Sequence, residues 1–205
     1  MGRKRIAGFI LAGGENKRMH GRKKALLQYR EKPFWKWLVE TMDKTDEIYI
    51  SVAKKSDYEL YGEYCFEKYQ LVEDLYERMG PLGGILSGLS ICKENALLVM
   101  PCDMIGCTKE IVDELIEVFQ KDGTPAFYKE KDIVLPFPGI YTKRMIPIIK
   151  EMMKQGNFKL RDLIQTNSLP VSYLVKQGIQ ETLKNVNTLE EYEELLNDSN
   201  RGSNR

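Results

Sequence analysis

The sequence predicts an α/β fold: a Rossmann-like, mostly parallel sheet flanked by helices on both faces, in three layers. Short apolar runs alternate with amphipathic segments almost to the end of the chain, and strand-helix-strand alternation builds a parallel sheet. Three of the first four runs are nearly continuous in apolar residues, as expected where a sheet is covered on both faces. The 205 residues are enough for one well-filled core, so a single domain is expected over 1–198.

Taken in order, "RIAGFILA" (5–12), "EIYISVA" (47–53), "YQLVED" (69–74) and "ALLVMPCD" (96–103) read as strands. Between them, 33–44, 56–66 and 81–93 read as helices, and 108–121 as a further one with Thr108 as N-cap and Glu110 in its first turn. The pattern then turns mixed. "TPAFYK" and "DIVLPFPGIYT" are extended, and the two prolines of the second argue against a central strand. Helices resume at 143–154 and 159–165, "PVSYLV" reads as a strand, and a closing helix follows Thr188, with Glu191 at the capping-box position. The polar tail 199–205 is expected to be disordered.

Composition narrows the function. Basic and acidic residues balance, 31 against 30, so no global field draws nucleic acid or a membrane surface. No run approaches a membrane span and no signal core follows Met1 to Arg5, which reads as a soluble cytoplasmic protein. Cys65, Cys92, Cys102 and Cys107 form no C-x-x-C pair, so buried reduced thiols are expected rather than zinc. His20 is the single histidine, which excludes catalysis built on several.

Four stretches carry chemistry. After the first strand, "LAGGENKRMHGRKK" puts Gly13 and Gly14 before Lys17, Arg18, Arg22, Lys23 and Lys24. Glycines let backbone N–H groups approach an anion, and the cations neutralise what the amides cannot, so the loop suits a triphosphate. It is neither a Walker loop, since Ala25 follows Lys24, nor a dinucleotide fingerprint, since position 17 is Lys. On composition alone a solvated basic turn serves as well. At the third strand's end, Asp74 precedes Gly80-Pro81-Leu82-Gly83-Gly84, a small-residue shelf for a flat base or ribose, or simply a closely packed helix. The fourth strand delivers Asp103 to its end, where one carboxylate plus substrate phosphates is the expected way to hold Mg²⁺. Finally, Asn185 and Asn187 stand before the closing helix, as turn residues or as contacts to a second substrate. In an open parallel sheet these strand ends converge on one crevice.

The spacing of Gly13, Gly14, Arg18, Met19, Gly21 and Lys24, then Glu73-Asp74 with Gly80-Pro81-Leu82, then Pro101-Cys102-Asp103, then Asn185-Val186-Asn187-Thr188 before Glu190-Glu191, resembles the molybdenum cofactor guanylyltransferases from about Ile6 to Leu196. The resemblance implies a nucleotide-diphospho-sugar-transferase-like fold. It implies an enzyme that transfers GMP from GTP to the terminal phosphate of a molybdopterin-bound molybdenum cofactor and releases pyrophosphate. It implies that Leu11, Ala12, Gly13 and Gly14 line the GTP, Lys24 and Arg18 hold its phosphates, Asp74 sits near the nucleoside, and Asp103 binds Mg²⁺. Arg161, Asn185 and Asn187 would face the pterin, and apo-molybdoenzymes or insertion proteins would receive the product. Two departures stand out, His20 and Lys23 where the family has Gly and Asp. A cytidylyl or sugar-phosphate nucleotidyltransferase, and a non-catalytic GTP-binding delivery protein, are the rival readings.

Overall fold

The structure, a computed structural model, describes residues 2–13, 23–54, 56–57, 61, 69–76, 79–165, 169–183 and 185–202, without the side chains of 198–202. The expected helix over 56–66 lies largely outside the described residues.

The strands are β1 (Ile6–Leu11), β2 (Gln28–Tyr29), β3 (Lys32–Pro33), β4 (Glu47–Val52), β5 (Gln70–Glu73), β6 (Ala96–Pro101), β7 (Ala126–Glu130), β8 (Ile133–Thr142) and β9 (Ser172–Val175). The helices are α1 (Phe34–Thr41), α2 (Gly80–Ile91), α3 (Lys109–Asp122), α4 (Ile146–Lys154), α5 (Leu160–Ile164), α6 (Ile179–Thr182) and α7 (Leu189–Gly202). Seven strands form one sheet in the order β5-β4-β1-β6-β8-β7-β9, and only β8 runs against the rest. The chain builds outward from β1 to β5, then crosses back through α2 to β6 on the other side of β1. That reversal puts the crevice at the carboxyl ends of β1 and β6.

Strand alternation divides the core between two faces. Ile6 and Ile10 of β1 join Ile50, Leu98 and Met100 beneath Trp35 and Leu38 of α1 and Val112 and Leu115 of α3. Ala7 and Phe9 face the other way, with Tyr49, Leu97 and Val99, beneath Leu82, Ile85, Leu86 and Leu89 of α2, Ile149 of α4 and Leu163 of α5. The three expected layers are present. A Cβ at Gly88 of α2 would come within 2.5 Å of the Phe9 ring, so the helix lies close to the sheet because that position is bare. Gly88→Ala should therefore destabilise the protein by about 1–3 kcal/mol, seen as a lower melting temperature without a change in far-UV circular dichroism.

The expectation that 132–142 is not central is corrected: β8 is hydrogen-bonded to β6 on one side and β7 on the other. Its prolines are tolerated because the register against β7 jumps from Phe127↔Gly139 to Tyr128↔Leu135, leaving Pro136 and Pro138 in the bulge where no ladder donor is required. Thr108 occupies the N-cap position of α3 but makes no side-chain cap hydrogen bond; its contact to Glu110 instead holds that carboxyl below its ordinary value. The closing helix is capped as expected: Thr188 Oγ1 accepts the Glu191 N–H at 3.2 Å, and the Glu191 carboxylate accepts the Thr188 N–H at 3.2 Å. It continues to Gly202, through the first residues of the segment read as a tail. The β2–β3 hairpin has no counterpart in the sequence reading. Its turn residues, Arg30 and Glu31, have φ of 45° and 64°, a conformation usually signalled by Gly or Asn.

Candidate active site

Parallel pairing carries four strand ends to one edge. Leu11 stands opposite Ser51 on one side and Pro101 on the other. Past the strand ends the ladder persists: Ala12 N–H donates to Ser51 O, Cys102 N–H to Leu11 O and Asp74 N–H to Val52 O, each at 3.0 Å. Leu11, Ala12 and Gly13 thus lie between Asp74 on one flank and Asp103 on the other.

Asp103 is buried, 9% exposed. Its Oδ2 accepts a hydrogen bond from Lys24 Nζ at 2.7 Å, and the same ammonium donates to Asn187 Oδ1 at 3.2 Å. The backbone closes the cluster, since Val186 N–H donates to Asp103 O at 3.1 Å. The other carboxylate oxygen, Oδ1, is buried with no hydrogen-bond partner, and so is Asn185 Oδ1. A buried carboxylate oxygen without a donor is costly, and a hard cation satisfies it. The residues therefore fit a divalent ion. Among the described residues no group of three or more His, Cys, Asp or Glu gathers to hold a metal alone, so the remaining ligands would come from phosphate oxygens and water.

On the other flank, the Ser51 hydroxyl donates to Asp74 Oδ1. Burial raises the Asp74 carboxyl above the ordinary value, and the Ser51 hydrogen bond partly offsets it. A Cβ at Gly13 would come within 2.7 Å of Asp74 Oδ2, and one at Gly84 within 2.7 Å of the Leu11 side chain; the bare backbone is what lets these groups meet. Because the folded carboxyl is raised above its unfolded value, ionised Asp74 counts against stability at neutral pH. That penalty disappears as pH falls through the folded value. Asp74→Asn should thus melt slightly higher than the parent at pH 7, with the gap closing as pH falls toward 4; a constant gap would separate the effect from ionisation.

Lys23, one of the two departures from the family pattern, pairs with Asp57 at 2.9 Å, so its charge is compensated away from Lys24. His20, the other, and Gly14 and Arg18 lie outside the described residues. Arg161 is exposed on α5, whose buried Leu163 and Ile164 belong to the α2 and α4 layer; it is set apart from the Lys24, Asp103 and Asn187 cluster. Cys92, Cys102 and Cys107 are free and buried, and burial pushes each thiol up to about 12, so none is a nucleophile at neutral pH. Cys65 lies outside the described residues. Ser51 was not singled out in the sequence. Its signal was a small polar residue among the apolar positions that close β4.

The model of the MobA-like NTP transferase domain matches residues 8–171, which contain the whole glycine loop, Asp74 and Asp103. The chain belongs to the MobA-like NTP transferase family. This nucleotidyltransferase is 29% identical over 189 residues to a probable molybdenum cofactor guanylyltransferase of Flavobacterium johnsoniae, covering 91% of this chain and 94% of the relative. It is 30% identical over 193 residues to one of Clostridium perfringens, with the same shares covered. The crystal structure of molybdopterin-guanine dinucleotide biosynthesis protein A from Archaeoglobus fulgidus superposes with a TM-score of 0.76 at 18% identity, covering 95% of this chain and 99% of the other. That likeness confirms the nucleotidyltransferase-like three-layer fold. No described helix is long and apolar enough to cross a membrane.

Proposed function

We propose that this nucleotidyltransferase transfers GMP from GTP to the terminal phosphate of a molybdopterin-bound molybdenum cofactor in the cytoplasm. The observation that carries the reading is the Lys24, Asp103 and Asn187 cluster with its donorless Asp103 oxygen, set beside the glycine turn at the end of β1. A phosphate oxygen of the cofactor attacks the α-phosphorus of GTP in line; the bond from that phosphorus to the β-phosphate oxygen breaks, and pyrophosphate leaves. Lys24 would meet the charge that develops on the phosphates, with Arg18 and the backbone amides of Gly13 and Gly14 beside it. Asp103 would hold Mg²⁺, whose contribution is to neutralise phosphate charge and orient the leaving group. No general base is needed, because a phosphate monoester is already anionic at neutral pH.

On the opposite flank, Asp74 is an acceptor placed over the Gly13 and Gly84 surface. Guanine presents N1–H and a 2-amino group to such an acceptor, whereas adenine and cytosine present a ring-nitrogen lone pair. The pterin half would lie toward Asn185 and Asn187, and an apo-molybdoenzyme or insertion protein would take the product. The deciding experiment is turnover of GTP with Mg²⁺ and molybdopterin cofactor, followed by pyrophosphate release. No release sinks the transfer. In the same assay GTP should be used best, ITP should fall between, and ATP and CTP should trail widely, since a site built for donors rejects a ligand that lacks them by up to about 10⁴-fold. Use of CTP with GTP inert would move the chain to the cytidylyl branch.

A further inference from the structure

Ser51 follows Tyr49 on the face of β4 turned to the α2 layer and is wholly buried there. A buried hydroxyl that only filled space would be better replaced by a methyl-bearing side chain. This one is spent on Asp74 Oδ1. The consequence is geometric. With Oδ1 occupied by Ser51 and walled by Gly84, whose hypothetical Cβ would stand 3.4 Å from Oδ1 and 3.6 Å from Ser51 Oγ, the second oxygen is the one turned toward the bare Gly13 backbone. Asp74 also has no ion-pair partner among the described residues, in a crevice whose other flank is lined by Lys24. It is an acceptor held open.

We infer that Ser51 is a positioning residue that sets nucleotide specificity: it fixes the Asp74 carboxylate so that Oδ2 takes a donor from the base, and without it the carboxylate turns and the base is no longer read. The inference rests on the guanine reading above. The Ser51 hydroxyl is bonded to Asp74 and not to Lys24, Asp103 or Asn187, so its loss should alter which nucleotide is bound more than the chemistry at Asp103.

The test is a double-mutant cycle read by calorimetric binding of Mg-GTP and Mg-ITP to the whole protein, with melting temperatures recorded in parallel. Wild type should prefer GTP. Ser51→Ala should lose about tenfold or more of that preference, the worth of a hydrogen bond to a charged group. Asp74→Asn should lose it almost entirely, and the double variant should match Asp74→Asn. An unchanged GTP-to-ITP ratio in folded Ser51→Ala, or losses that multiply in the double variant, would overturn the inference. So would a loss seen with 2′-deoxy-GTP instead of ITP, which would put Oδ2 on the ribose. Should wild type not prefer GTP at all, the guanine reading fails by itself, while the same cycle on GTP affinity still reports whether Ser51 acts through Asp74.

Discussion

Asp103→Asn should fold, bind GTP within a few-fold of the parent, and lose metal-dependent turnover on the order of 10²–10³-fold, since a metal ion supplies several kcal/mol of charge stabilisation in the transition state. The amide keeps an oxygen for Lys24 Nζ, now held at 2.7 Å by Oδ2, and the backbone bond from Val186 N–H to Asp103 O does not involve the side chain. What the amide cannot do is present a charged oxygen where Oδ1 stands buried without a donor. Pyrophosphate release under saturating GTP, with Mn²⁺ binding followed by electron paramagnetic resonance, checks the result. A variant that unfolds but is active once refolded would make Asp103 a packing residue and remove the metal site.

Lys24→Ala should fail in two separable ways. Nucleotide affinity should fall by about 1.5–3 kcal/mol, the worth of a charge-assisted contact to phosphate. Stability should fall as well, by about 1–3 kcal/mol, because the side chain is only 15% exposed and its departure leaves both oxygens of a buried carboxylate unpaired. The double variant with Asp103→Asn tells the two apart: it should recover much of the melting temperature and none of the affinity. A single variant with wild-type affinity would return the loop's charge to solvent.

The parallel half of the fold was legible because its strands announce themselves. β1, β4, β5 and β6 are short, largely apolar runs with sharp ends, and three of those ends carried candidate chemistry in plain view, at Gly13, Asp74 and Asp103. The antiparallel half was harder, because prolines in "DIVLPFPGIYT" speak against a central strand unless a bulge relieves them, and a bulge is a property of two strands in register. The β2–β3 turn was invisible for a related reason: Arg30 and Glu31 are held at positive φ without the residues that usually declare it. In the site, residue types could be named, but their partners could not. That Lys23 goes to Asp57 while Lys24 goes to Asp103 and Asn187 depends on which way two adjacent lysines point, and spacing does not encode that. Ser51 was missed because one serine near a strand end has no pattern; only its contact with Asp74 gives it meaning.

The ammonium of Lys24 is gripped by a carboxylate 79 positions downstream and by an amide 163 positions downstream. The last of these is delivered by a helix that docks Tyr192 onto Phe34 and hydrogen-bonds the Gln28 carbonyl near the start of the chain. During synthesis, the sheet through β6 can be complete while Asn187 has yet to leave the ribosome. A chain cut short before Asn187 would therefore lack one of the two side chains that hold the Lys24 ammonium.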